Sequence, residues 1–143
     1  MTVDRAVRRR ILDITGVTAL VSAASVTTLI WQENRAGTAI RVTRISDLTD
    51  AHLRGTGAAR ARVQVDVTAP TKDGVDALMA LVHGDFVSGV ATGLQGWTGT
   101  VTDGSEQLDI SSILPDIGRD VFDAEERKQP ITTRDYFVTY RPN

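Results

Sequence analysis

The chain has 143 residues, 41% of them apolar and 24% charged, which suits one domain with its own core. It holds no cysteine, so disulfides, thiolate catalysis and cysteine-held zinc are excluded. With 16 basic against 18 acidic residues the net charge is -2, which argues against a general nucleic-acid binder.

Val3, Val7, Ile11 and Ile14 recur at spacings of three and four, predicting a first helix that Thr2 can cap and Gly16 interrupts. The basic start (Arg5, Arg8, Arg9, Arg10) is broken by Asp4 and Asp13, so no signal peptide is expected. Val17 to Trp31 is the longest mostly apolar stretch. Thr18, Ser22, Ser25, Thr27 and Thr28 dilute it, and it falls short of the roughly 20 residues of a membrane span. Ile40–Ser46 is rich in β-branched residues and predicts a strand, followed by a polar connection over 47–57. Next, Ala61, Val63, Val65, Val67 and Ala69 alternate with Arg60, Arg62, Gln64, Asp66 and Thr68. That period of two predicts a strand with Val65 buried and Gln64 exposed or interfacial. The two strands read as a hairpin arm over about 39–69 with a polar tip.

Pro70 ends the second strand, and Thr71 or Asp73 can cap a helix whose apolar face is Val75, Leu78, Met79, Val82 and Phe86. Gln95–Thr102 looks strand-like. Residues 103–130 carry eight acids, three bases and two prolines and read as an irregular loop region. Leu108, Ile110, Ile113, Leu114 and Ile117 are interspersed there, which suits an interface core. The alternative, that they pack on the subunit's own sheet, stays open. Thr132–Tyr140 predicts a last strand with Tyr136, Val138 and Tyr140 on one face and Phe137 on the other. The fold class is α+β: an N-terminal helix, an antiparallel sheet with a long hairpin, a central helix on the sheet and a C-terminal strand.

The residues carry no recognisable catalytic set. His52 with Asp50 and His83 with Asp85 are too few for a metal site and read as loop residues. Gly93, Gly96, Gly99 and Gly104 lack the lysine ending of a phosphate loop and read as turns. Arg8–Arg10 splay around a helix rather than forming a phosphate patch, and Glu125 and Glu126 lack a fixed carboxylate partner. No catalytic residue, cofactor or metal is expected.

The stretch AIRVTRISDLTDAHLRGTGAARARVQVDV (39–67) and the following KDGVDALMALVHGDF (72–86) resemble the tail-completion family of long-tailed phages, called tail terminators or tail-to-head joining proteins. Thr18–Val21, Arg44-Ile45-Ser46, Arg62-Val63-Gln64-Val65-Asp66 and the late Arg134–Val138 carry the likeness. The family's proline before the "RIS" strand is missing, and 103–130 is longer than its pattern. The resemblance implies a single domain, 1–143, that is not an enzyme. It implies a homohexameric ring in the virion tail, assembled in the bacterial cytoplasm. The ring would meet the tail tube protein and the head-tail connector or stopper, and DNA would pass through it without specific binding. The particle could be a phage, a domesticated prophage or a gene-transfer particle. Candidate interface residues are Asp47, His52 and Arg54 at the hairpin tip, Arg60, Arg62 and Asp66 on its wet face, and Leu108, Ile110 and Ile113. Other readings are a stopper or minor tail protein, or a small-molecule-binding module or enzyme.

Overall fold

The computed structural model describes residues 1–28, 37–48, 58–123 and 129–141, with the backbone alone at 48 and 117–123. Helix α1 spans Val3–Asp13 and buries Val3, Val7 and Ile11. Thr2 holds the cap position but its side chain caps nothing; its carbonyl accepts from the Ala6 amide at 3.0 Å. Gly16, at φ +92°, turns the chain into the single turn α2 (Val17–Leu20). That left-handed conformation is one glycine adopts without steric cost.

Strands β1 (Val26–Thr28), β2 (Ala39–Leu48) and β3 (Ala59–Thr68) follow, then α3 (Lys72–His83), a two-plus-two hairpin β4 (Phe86–Val87) and β5 (Val90–Ala91), and β6 (Gly99–Asp103), β7 (Glu106–Asp123) and β8 (Gln129–Arg141). The main sheet has six strands in the order β1-β2-β3-β8-β7-β6. All neighbours are antiparallel except β1 and β2 at one edge, so the sheet is mixed rather than purely antiparallel. It curls: α1 packs on β1 and β2 near one edge and on β6 at the other, while α3 lies over β3 and β8 in the middle.

The alternation in β3 fell as expected, with Ala59, Ala61, Val63, Val65 and Val67 buried toward the helices. Tyr136, Val138 and Tyr140 join them from β8, and Ile40 and Val42 from β2. Thr71 is the cap of α3, accepting from the Gly74 amide at 3.1 Å. Phe86 does not continue the apolar face of α3. Gly84 (φ +67°) ends the helix, and Phe86 lies half-exposed in β4.

Two expectations about extended structure need correction. Over its described length the 39–69 hairpin is no projecting arm, because β3 pairs with β8 from Ala59↔Tyr140 to Thr68↔Ile131 and sits inside the sheet. Of residues 103–130, the stretch 106–123 is not an irregular loop either, and 124–128 lie outside the described residues. β7 runs for 18 residues between β6 and β8, with register shifts at Ile110/Ser112 and Pro115/Gly118. Each shift reverses which face the next side chain meets, so no steady period survives in the sequence.

Candidate functional site

Among the described residues no three His, Asp or Glu side chains come close enough to hold a metal ion. His83 is the last residue of α3, not a loop residue, and its Nδ1 shares a 2.8 Å hydrogen bond with the Tyr136 hydroxyl. Burial, then the nearby Arg134 charge, lowers the imidazole pKa. Burial pushes the Tyr136 phenol above its ordinary range, so the pair stays neutral and serves packing. The glycines are structural: Phe86 packs over Gly96, Trp97 over Gly99, and Gly104 turns the chain between β6 and β7.

The arginines of α1 are also absorbed locally. Arg5 pairs with Asp103 and Glu106 at 3.2 and 2.7 Å, tying the helix to the β6–β7 turn. Arg8 donates to the Val26 carbonyl at 2.6 Å, and Arg9 pairs with Asp13. Arg10 lies over the Trp97 ring, 4.8 Å from its centroid, and donates to the Gly93 carbonyl.

The surface most able to do something is the face of the sheet turned away from the helices. Asp66 is only 1% exposed there, although it occupies the wet phase of the alternation. Arg41 pairs with it at 2.8 Å, Thr133 donates to it at 2.6 Å and Gln64 at 3.0 Å. Asp135, 2% exposed, accepts from Arg62 at 2.6 Å, and Asp116 lies 3.3 Å from the same guanidinium. Arg60 stacks over Phe137 at 4.4 Å, with Arg62 on the same ring at 6.0 Å. On the helix side instead, burial and then the Asp47 carboxylate, which accepts from the Tyr140 hydroxyl at 2.8 Å, raise that phenol to about 12. Ion pairs across neighbouring strands thus hold the outward face together inside the subunit, leaving Arg60 facing solvent.

The proposed interface residues divide accordingly. Arg60, Arg62 and Asp66 come together as one charged ladder, with Asp47 on the same hairpin. His52 and Arg54 lie outside the described residues. Leu108, Ile110 and Ile113 are in the subunit's own core, so the reading of them as partner-docking residues gives way to the packing alternative. Leu114, one position on and facing outward opposite Phe137, is half-exposed. Sequence reasoning missed the β4–β5 hairpin, where Phe86, Val87 and Val90 are 51%, 65% and 64% exposed. The signal was present in Ser88-Gly89 between apolar residues, a two-residue hairpin turn.

No protein-family model matches the chain, and no curated protein does. Solved structures do. A chain described as "Virion of native gene transfer agent (GTA) particle" aligns over 98% of this chain and 95% of its own, with a TM-score of 0.62 at 13% identity. The two share a fold. A second solved chain aligns over 100% of this chain and 99% of its own at 14% identity, but its TM-score of 0.45 is too low to carry an argument.

Proposed function

We propose that this chain is a non-enzymatic structural subunit of a phage-like virion, forming a homohexameric ring at the head-proximal end of the tail. One observation carries the reading: the likeness of fold, over nearly the full length of both chains, to a chain from a gene transfer agent virion. The motifs in 39–67 and 134–138 support the finer position, because they resemble tail terminators. The ring would end the tail tube and join it to the head connector or stopper. A sheet face held together by its own ion pairs gives such a subunit a rigid wall, and a net charge of -2 offers DNA little to adhere to as it passes. A ring needs a heterologous interface that closes by rotation, so two different surfaces of the subunit must meet.

The test is imaging of particles assembled without this protein. Expected are filled heads separated from tails, with tails of abnormal length. Complete particles would refute a joining role. In the intact particle, sixfold density at the neck supports the ring, whereas a twelvefold ring there assigns the chain to the connector instead.

A further inference from the structure

Between α3 and β8 lies a recess of about 670 Å³ lined by Lys72, Asp76, His83, Asp85, Thr132 and Arg134 among others. Arg134 faces it from the helix side of the sheet, opposite Val65 in the ladder. Its Nε is buried, and no described residue bonds it. Lys72, by contrast, is paired with Asp76 at 2.9 Å. The recess therefore holds a guanidinium with no ion pair among the described residues, although its two cations and two acids balance overall. A guanidinium presents paired donors that match a carboxylate in bidentate geometry. A dianionic phosphate would meet Asp76 and Asp85 as well, so the charge balance selects a monoanion.

Carboxylates that could pair with the Arg134 guanidinium lie elsewhere on the same subunit. The β6–β7 turn carries Asp103 and Glu106 on either side of Gly104, and among the described residues only the half-exposed Arg5 pairs with them. Exposed pairs of this kind are weak and exchangeable. The turn and Arg134 are separated by about ten residues of strand, or roughly 30 Å. An unpaired guanidinium and an acidic turn that far apart cannot meet within one subunit, but they can meet head to tail between two. We propose that the Arg134 recess takes a side-chain carboxylate from the Asp103–Glu106 turn of a second copy. This contact rests on the ring reading above and supplies its two unlike surfaces.

The experiment has two arms on the full chain. In the first, the Arg134 Nε–H resonance is followed while sodium acetate or inorganic phosphate is added at constant ionic strength. Acetate should shift it saturably in the millimolar range, and phosphate less. Silence toward both, or tighter phosphate binding, overturns a carboxylate site. In the second, sedimentation measures self-association of wild type, Arg134→Gln, Asp103→Asn/Glu106→Gln and the combined variant, each checked for an unchanged melt. Either change should weaken association about tenfold, and the combination no further, because both remove one contact. Unaltered association, or fully additive losses, overturns the contact and leaves the ring standing. A wild type that stays monomeric at every concentration overturns both. Should Arg134→Gln fail to fold, the exposed-turn variant and Arg134→Lys decide: the first must weaken association and the second must partly restore it.

Discussion

The two faces of the sheet are both dry at their centre, for opposite reasons. On the helix side, Val63, Val65, Val67 and Tyr136 are buried by α1 and α3, and shape complementarity does the stabilising. On the other side Asp66, Thr133 and Asp135 are just as buried, yet what covers them includes the arginines and glutamine that bond them. The first face tolerates any side chain of similar volume and polarity. The second tolerates change only in pairs, since a lone buried charge costs far more than a satisfied pair contributes.

Four substitutions probe that difference. Val65→Asp puts an unpaired carboxylate among apolar side chains and should cost about 4 kcal/mol or more, read as loss of a cooperative melt. A soluble protein with a normal melt would show that the helix side is not the apolar face. Asp66→Ala leaves Arg41 and Thr133 without their acceptor, and chemical denaturation should register a loss of about 2–3 kcal/mol. Joining it to Arg41→Met should recover most of that loss; a double variant as weak as the single one would mean that the pairing is not what matters. The smallest change is Arg60→Ala, which removes an exposed cation from the Phe137 ring and should cost no more than about 1 kcal/mol. A larger drop would place Arg60 inside the network rather than at its rim.

The strands differed in how openly the sequence declared them. β3 was readable because its pairing with β8 is unbroken, so alternation in sequence maps directly onto alternation in space. β7 was hidden by its two register shifts and by Pro115, which an interior strand would exclude. Pro115 is tolerated because β6 stops at Gly99↔Ile110, leaving the missing donor with no partner strand to fail. Hence Leu108, Ile110 and Ile113 looked like apolar residues scattered through an acidic loop, when they are core residues of a bulged strand. The charged face was legible in composition but not in consequence. Arg62 and Asp66 could be placed on one face by parity, whereas their partners Asp135 and Arg41 lie 73 and 25 residues away. The exposed Phe86 was misassigned because spacing alone extended the helix past Gly84, where a side chain would collide with the backbone of Gly93.

The position of β8 has a consequence for biosynthesis. The sixth strand of the main sheet in chain order after β7, it lies at the sheet's centre, between β3 and β7. A nascent chain can form the β2–β3 and β6–β7 hairpins early, because each joins neighbours in sequence. Neither can complete its half of the sheet until residues 129–141 have emerged from the ribosome and slotted between them. Until then β3 and β7 present unpaired edges to solvent, a template for pairing with another chain. Folding is therefore held back until β8 has emerged and is dominated by contacts distant in sequence, which makes it slow. Pausing just before Gln129 would prolong exposure of those edges and raise the risk of aggregation during synthesis.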